Sequence, residues 1–446
     1  YAQAIELHRE SLALRYERGD EEGIAVSLGQ LSRIARRRGR YQLAQDLLEE
    51  SLGLHRAIGD KLYTAQSLNN LGLVACLLCE YERAASLFEE ALSLYSALED
   101  RLGISNTLLN LGNVAKEQGD MQSAQTLYEK SLALKQELGS KRGIARVISE
   151  LAEVALCQGD YARAEELAAQ SLTLFRELDA RPGVMVASLL QAFVAHFRGE
   201  HERASTLANE GLMLATELEI PRGVAFAKDL LGLEAYAQGS LQEAQGQLEQ
   251  ALAGFRRVDD RRNVAYTLVN LARTAYRKGD HVGAIQLLDE SLSISRHLDI
   301  KWSLAYALEI MGLLQRSQGH YGTALDLFQE SLRLSSGQAN QQGIANCLGA
   351  IGGLAAVARE PIRAAHLFAA AERLRRAAGV KLGNYDQFES EHYLALLRDQ
   401  LDDDAFAAAW SKGSAMATEQ AIEDASELVP HGTLVSKHRS KHTTKV

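Results

Sequence analysis

The feature that most constrains this chain is an internal repeat. The sequence aligns with itself at an offset of 40 residues, without a gap, from Tyr1 to about Arg373. One position in this register is always alanine, namely Ala4, Ala44, Ala84, Ala124, Ala164, Ala204, Ala244, Ala284, Ala324 and Ala364. A gap-free period of this length indicates one supersecondary unit stacked in one dimension, because a single unit cannot bury its own apolar face.

Two further positions repeat with the same period. Seven residues after the alanine stands a small residue, which is Ser11, Ser51, Ala91, Ser131, Ser171, Gly211, Ala251, Ser291, Ser331 or Ala371. In the other half of each unit an apolar residue precedes a second small residue, as in Leu71-Gly72, Leu111-Gly112 and Met311-Gly312. Small residues at fixed positions let helix backbones approach closely, so we expect the units to pack alike.

The apolar pattern of each repeat unit predicts two helices. In the second unit they cover roughly 63–77 and 81–97, and in the latter the apolar residues recur at helical spacing, from Ala84 through Phe88 to Leu94. A glycine supplies the tight turn between the helices in most units, because left-handed backbone favours glycine. These residues are Gly39, Gly119, Gly159, Gly199, Gly239, Gly279 and Gly319.

The second unit carries a specific resemblance. Leu71-Gly72, Tyr81, Ala84, Phe88 and Ala91 match the pattern of the tetratricopeptide repeat. The resemblance implies an all-α fold, a right-handed superhelical solenoid of antiparallel helix pairs. The period is 40 residues rather than 34, and we expect the additional residues in the connection between units, as in 138–143. This longer variant resembles the repeats of large bacterial regulators and of scaffold proteins that clamp extended peptides.

The repeat register ends after Ala371, and helical segments continue near 361–377, 385–400, 403–411 and 418–428. We predict a repeat array over 1–360, with about nine units of which the first is incomplete, a C-terminal helical capping region over 361–428, and a disordered basic tail over 429–446. A stack of repeats must end in helices that tolerate water, which explains the cap.

A second resemblance concerns this C-terminal region. Residues 364–372, then 404–410 and 419–422, resemble the segment that closes the repeat arrays of LuxR-type regulators and multi-domain signal-transducing ATPases. The chain begins with Tyr1 inside a repeat, so we interpret it as a piece of a longer protein. The resemblance implies an ATPase switch domain ahead of the array in that parent chain. No Gly-x-x-x-x-Gly-Lys-Ser/Thr phosphate loop occurs in the sequence given.

Composition narrows the function classes. A net charge of -10 argues against nucleic acid as the partner of this segment, because phosphate binding needs a basic face. Four cysteines fit a reducing compartment, and no apolar run reaches the roughly 20 residues of a membrane span. We therefore expect a cytoplasmic protein that does not contact a membrane.

The sequence offers no catalytic or metal-binding motif. Cys76 and Cys79 have CxxC spacing, but no second ligand pair accompanies them, and Cys79 replaces a turn glycine. His201 and His281 stand where other units have tyrosine, so we interpret them as aromatic substitutes. We expect no enzymatic activity, no metal and no cofactor.

In tetratricopeptide stacks the first helix of each pair lines the concave face, and the register transfers its inward positions to this chain. In the first three units they are polar or basic: Arg33, Arg36, Arg37, Gln66, Asn69, Asn70, Asn106, Asn110, Asn113 and Lys116. Asparagine side chains both donate and accept hydrogen bonds, so a row of them can pair with the backbone of an extended peptide.

The inward positions of units five to seven are apolar and aromatic instead. They are Phe193, Phe197, Phe226, Leu233, Tyr236, Tyr266 and Tyr276. Exposed aromatic residues anchor partners, whereas aromatic residues at helical spacing also build cores, and both alternatives stay open from the sequence.

These observations predict a scaffold that binds a protein or peptide partner in its concave groove. We expect it to be the sensory or regulatory arm of a bacterial signalling or transcription regulator. The alternative is a sensor domain for a small inducer that controls an attached ATPase switch or DNA-binding domain.

Overall fold

The computed structural model of the chain describes residues 12–378 and 384–429, and it confirms the all-α prediction, with no strand among these residues. Helical residues 12–18 come first. The helices that follow are α1 (Glu21–Arg37), α2 (Tyr41–Ile58), α3 (Lys61–Leu77), α4 (Tyr81–Ala97), α5 (Arg101–Glu117), α6 (Met121–Glu137), α7 (Lys141–Cys157), α8 (Tyr161–Glu177), α9 (Arg181–Phe197), α10 (His201–Glu217), α11 (Pro221–Ala237), α12 (Leu241–Arg257), α13 (Arg261–Arg277), α14 (His281–His297), α15 (Lys301–Ser317), α16 (Tyr321–Gly337), α17 (Gln341–Val357), α18 (Pro361–Ala378), α19 (Asn384–Arg398), α20 (Asp403–Ala415) and α21 (Thr418–Ser426).

The additional residues of the 40-residue period lie within the helices, so the expectation that they lengthen the connection between units was wrong. In the second unit, residues 78–80 join α3 to α4 and residues 98–100 join α4 to α5. Both connections therefore have three residues, and the helices have 17 residues each. The cause is an N-cap: the Asp60 carboxylate accepts a hydrogen bond from the Tyr63 amide at 3.0 Å, which starts α3 directly after the turn.

The predicted turn glycines adopt the left-handed conformation, as at Gly119, where φ is 85°. Where the repeat lacks glycine, another residue adopts that conformation: Cys79 has φ 61°. This agrees with the interpretation of Cys79 as a substitute for a turn glycine. The connections between units repeat the same geometry, with φ 54° at Glu99 and 64° at Gly139.

The repeated serine ties the two helices of a unit together. The hydroxyl of Ser51 donates to the Ala25 carbonyl at 2.8 Å, and Ser291 does the same to Ala265 at 2.8 Å. Ser131, Ser171 and Ser331 make the equivalent hydrogen bond. A buried hydroxyl that has a partner costs little free energy, and its small size keeps the two helices close.

The described helices fall into two compact units, each of which contains several of the 40-residue repeats. The first comprises residues 12–154, Leu167–Gly183 and Arg256–Asp260. Its core contains leucine and aromatic side chains such as Leu68, Phe88 and Tyr128, none of which is exposed.

The second unit comprises Ala155–Glu166, Val184–Phe255 and the described residues from Arg261 onward. Its largest apolar cluster lies at the C-terminal end, where Ala421, Ala425 and Leu428 pack with repeat residues such as Phe328. The helices predicted near 385–400, 403–411 and 418–428 are present as α19, α20 and α21. The predicted disordered tail over 429–446 lies outside the described residues apart from Val429. None of the described helices is long and apolar enough to cross a membrane.

Candidate ligand-binding cavity

The second compact unit contains a cavity of about 540 Å³. Its wall is formed by the ends of α7 to α10 and by the inward faces of α11, α13, α15 and α17. Aromatic side chains dominate the wall, and they are Tyr161, Phe193, Phe197, Tyr236, Tyr266, Trp302 and Tyr306. A concave site with aromatic walls and a few polar groups is typical of ligand-binding pockets.

The aromatic residues form two groups of rings. In the first, the ring centroid of Phe197 lies 4.9 Å from that of Phe193 and 5.6 Å from that of Tyr161. In the second, Tyr266 lies 4.7 Å from Trp302 and 6.4 Å from Tyr306. Such contacts fix the orientation of each ring before a ligand arrives.

Two arginines of α13 place positive charge on this wall. The guanidinium carbons of Arg273 and Arg277 lie 4.5 Å and 4.6 Å from the ring centroid of Tyr236. Arg273 also donates to the Tyr306 hydroxyl at 2.6 Å. Burial raises the pKa of Tyr306 to about 12, so its hydroxyl stays neutral at physiological pH. The cavity wall therefore combines aromatic surface with the guanidinium groups of two arginines and the carboxylate of Glu309, and guanidinium groups suit a carboxylate or another anion.

One hydrogen bond joins two segments of the cavity wall that are far apart in the sequence. The Tyr161 hydroxyl, at the start of α8, donates to Oε1 of Gln342 on α17 at 2.9 Å. Burial raises the pKa of Tyr161 well above its ordinary value, so the donor keeps its proton.

A third polar feature of the wall is a carboxylate between two imidazoles. Oε1 of Glu234 lies 2.6 Å from Nδ1 of His196, and Oε2 lies 2.8 Å from Nδ1 of His201. The Glu234 side chain is 3% exposed, while both histidines line the cavity.

Of the aromatic segment predicted from the register, five residues line the cavity: Phe193, Phe197, Leu233, Tyr236 and Tyr266. The other two lie beside it. Phe226 is half-buried with its ring centroid 6.3 Å from that of Phe193, and Tyr276 is buried against His281.

Four of the polar residues predicted in the second and third repeats are hydrogen-bonded, either to each other or to neighbouring side chains. Nδ2 of Asn110 donates to Oδ1 of Asn69 at 3.0 Å, Lys135 donates to Asn106 at 2.7 Å, and Tyr128 donates to Asn113 at 2.7 Å. Gln66 is exposed and Asn70 is half-buried. These residues stay a prediction as a partner-binding surface.

The basic residues predicted in the first and third repeats differ in their burial and in their partners. Lys116 is ion-paired with Glu150 at 2.8 Å and with Glu153, and although burial lowers its pKa, these carboxylates outweigh burial and raise it. Arg33 is exposed and donates to Gln30 at 3.1 Å, and Arg36 is half-buried. The side chain of Arg37 lies outside the described part of the chain.

Sequence reasoning missed several wall residues that its own register contained. Tyr306 stands one repeat after Tyr266, and Arg273 and Arg277 stand two repeats after Phe193 and Phe197. Extending the inward positions by one more repeat would have found Tyr306, and carrying the positions of Phe193 and Phe197 into the seventh repeat would have found the two arginines. Tyr161 and Gln342 had no such signal, because they meet across 181 residues of sequence.

The comparisons with known proteins agree with this architecture. Residues 63–137 and 225–297 match one tetratricopeptide-repeat family, and residues 24–58 and 146–170 match two others. The helix pairs and these matches show that the array contains tetratricopeptide repeats.

Among solved structures, the fold is similar to that of a Rap protein complexed with competence and sporulation factor. The TM-score is 0.57 at 15% identity, covering 84% of this chain and 99% of that chain. It is also similar to the apo form of RapI, with a TM-score of 0.50 at 14% identity, covering 62% of this chain and 98% of that chain. These likenesses concern the fold. No curated protein matches the chain in sequence.

Proposed function

We propose that the chain binds a short segment of a partner polypeptide in the cavity of its second compact unit. The observation that carries this proposal is the wall itself, because seven aromatic residues and two arginines line one cavity. Pre-oriented aromatic and arginine side chains are the groups that most often dominate binding energy at protein interfaces.

The wall chemistry favours a particular kind of segment. The two ring groups suit apolar or aromatic side chains, and Arg273 and Arg277 suit a carboxylate, either at a C-terminus or on an acidic side chain. The volume of about 540 Å³ holds a few residues rather than a folded domain. A fold neighbour has been crystallised in complex with competence and sporulation factor, which supports binding by an array of this kind.

We further propose that this binding serves regulation, with the chain as the sensory or regulatory arm of a bacterial signalling or transcription regulator. The supporting observation is the likeness of residues 364–372, 404–410 and 419–422 to the segment that closes the arrays of such regulators. In this proposal the partner switch is an ATPase domain of the parent chain, the protein is cytoplasmic, and the array binds without catalysing a reaction.

The experiment is a peptide-library selection on the chain, followed by fluorescence anisotropy on the selected peptides. We expect Trp302→Ala and Arg273→Gln each to weaken binding at least about tenfold, or 1.4 kcal/mol, because each removes a wall group of the cavity. Met213→Ala is the control, since Met213 is 62% exposed and does not line the cavity. Peptides that bind all three variants as tightly as the unaltered chain would place the partner elsewhere.

The alternative is a sensor for a small inducer, and the cavity volume favours it as a second candidate. A volume of about 540 Å³ lies within the range of roughly 300–1,000 Å³ that small-molecule sites occupy. Thermal shift against a collection of aromatic and aliphatic acids separates the two candidates. A small acid that raises the Tm of the unaltered chain but not of Trp302→Ala, together with a failed peptide selection, would favour the inducer.

A further inference from the structure

We propose that His196, His201 and Glu234 form a binding site for one divalent transition-metal ion, of the Zn²⁺ class, in the wall of the cavity. This inference goes beyond the proposed function and does not depend on it. It also departs from the sequence-based expectation that the chain binds no metal.

The geometry supplies three ligand atoms that converge on one point. One imidazole nitrogen of each histidine and one carboxylate oxygen of Glu234 lie within 4.8 Å of one another. Zn²⁺ takes imidazole nitrogen at about 2.0–2.1 Å and carboxylate oxygen at about 2.0–2.2 Å, so neighbouring ligand atoms around it are roughly 3 Å apart. Small side-chain rotations would therefore bring the three groups around an ion.

The site is held by three helices with short connections. His196 lies in the last turn of α9 and His201 begins α10. The three residues between these helices include Gly199, whose φ of 73° produces the tight turn. Glu234 reaches the same point from α11, so backbone positions fixed by helix packing set the ligand spacing.

Glu234 is the residue that demands an explanation, because it replaces a core side chain of the repeat. The same register position carries Ile34, Val74, Val114, Val154, Val194, Thr274, Leu314 and Leu354. These valines and leucines are at most 2% exposed, and the Glu234 side chain is 3% exposed. A carboxylate at such a position has to be paired or hydrogen-bonded, and here its two oxygens lie against the imidazoles of His196 and His201.

One of the two histidines departs from the commonest residue of its register position. His201 occupies the position of Tyr41, Tyr81, Tyr161 and Tyr321, whereas His196 occupies a variable position that carries Arg36, Cys76, Lys116, Leu156, Tyr236, Tyr276, Arg316 and Ala356 in the other repeats. Two departures from the repeat, His201 and Glu234, therefore meet at one point with His196.

The donor set selects the class of ion. Two imidazoles and one carboxylate favour Zn²⁺, Co²⁺ or Ni²⁺ over Mg²⁺ and Ca²⁺, which prefer oxygen ligands. Because both histidines line the cavity, a remaining coordination position would face the cavity.

The matched control lies in the chain itself. His281 has the same register position as His201, but Tyr276 stands in place of His196 and Leu314 in place of Glu234. His281→Tyr therefore removes a histidine of the same kind from a point without the other two ligands. His201→Tyr and Glu234→Val instead restore the residues that other units carry, so both variants are expected to fold.

The test titrates the full chain with Zn²⁺ by isothermal titration calorimetry and with Co²⁺ by visible absorption, under reducing conditions. We expect one equivalent to bind, and Co²⁺ to give a spectrum without a thiolate charge-transfer band, which excludes the cysteines as ligands. His201→Tyr and Glu234→Val should each weaken this binding more than about tenfold. His281→Tyr should leave it unchanged.

Circular dichroism on each variant separates loss of ligands from loss of fold. The proposal is overturned if the chain binds no equivalent of either ion, if Co²⁺ binding shows thiolate character, or if folded His201→Tyr and Glu234→Val retain the affinity. No partner peptide is needed, so these outcomes are independent of the fate of the proposed function.

Discussion

Asp229 shows how one residue within a repeat register can acquire a distinct property. Its carboxylate is 3% exposed and accepts hydrogen bonds from Thr267 at 2.8 Å and from Asn270 at 3.5 Å. The same register carries Asn69 in the second unit of the sequence repeat, with Thr107 and Asn110 as its neighbours. Burial raises the pKa of Asp229 from 3.8 to about 7, although the two hydrogen bonds lower it.

The raised pKa predicts that Asp229 weakens the fold as the pH rises. Between about pH 4 and 7 the native state binds more protons at this residue than the unfolded state, so stability falls through that range. Asp229→Asn should raise the free energy of unfolding at pH 8 by up to about 4 kcal/mol. Urea denaturation from pH 4 to 8 measures this difference, which should shrink toward pH 4. Parallel profiles for the two proteins would contradict the prediction.

At the scale of single residues, the repeat register predicted much of the cavity wall and also contained the signal for Glu234. It placed Phe193, Phe197, Leu233, Tyr236 and Tyr266 at inward positions, and those residues line the cavity. It also held the signal for Glu234, since a carboxylate at a valine position is visible without coordinates. What the register could not supply was the meeting of Glu234 with two histidines, because that depends on how neighbouring helices are turned toward each other.

At the scale of helix pairs, residue size is matched between two positions 16 residues apart. Gly72, Gly112 and Gly312 face the rings of Phe88, Tyr128 and Phe328, and Gly232 faces Leu248. Where the small residue is alanine the partner is Leu288 for Ala272 and Ala168 for Ala152. A Cβ atom added at Gly312 would lie 2.5 Å from Cε1 of Phe328, whose ring is fully buried. The small position therefore sets how large its partner can be.

This matching predicts a rescue. Gly312→Ala should destabilise the chain by about 1–3 kcal/mol, because the clash with Phe328 outweighs the better helix propensity of alanine. Adding Phe328→Leu recreates the pair Ala272–Leu288, so the double variant should lose less stability than the two single variants summed, with a coupling of roughly 0.5–3 kcal/mol. Chemical denaturation of the four proteins measures the coupling.

Gly246 provides the control for this cycle. It lies inside α12, and a Cβ atom added there would meet nothing within 4 Å. Gly246→Ala should therefore stabilise the chain by up to about 1 kcal/mol. Additive effects of Gly312→Ala and Phe328→Leu would show that the two positions do not constrain each other.

The sequence predicted where the helices lie. It did not predict that the additional residues of the 40-residue repeat lengthen the helices. The sequence located α4 at roughly 81–97, and the helix covers Tyr81–Ala97. It started α3 at about 63, two residues late, because the N-cap Asp60 was not recognised. Comparison with a shorter repeat suggested a longer connection, whereas capped three-residue turns at both ends leave the additional residues to the helices.

At the scale of the whole chain, the period predicts a stack but not the contacts between distant repeats. Tyr161 meets Gln342 because of the rise and rotation accumulated over the intervening repeats of the second unit. Small differences in each helix pair add up over that distance, and a 40-residue spacing does not encode them. The cavity wall therefore required coordinates, even though most of its aromatic residues followed from the register.

The last described helix, α21, contacts the nearby helices α16, α17 and α18. Nε2 of Gln329 on α16 donates to the carbonyls of Ala425, Ser426 and Leu428 at 3.1, 3.1 and 3.0 Å. Arg363 on α18 donates to Asp424 at 2.9 Å. Through these contacts α21 covers apolar residues of α16, α17 and α18 that would otherwise meet water.

Dislodging α21 should therefore loosen the end of the array and leave its beginning unchanged. Ala425 is fully buried, so Ala425→Asp forces a carboxylate into the apolar cluster and should cost roughly 3 kcal/mol or more. In hydrogen exchange followed by mass spectrometry, α16–α18, α20 and α21 should lose protection, while α1–α6 keep theirs because helix pairs contact mainly their neighbours. Ser426→Asp places the same group on an exposed neighbour and should change neither region. Equal loss of protection throughout the described helices would instead mean that the whole array unfolds as one cooperative unit.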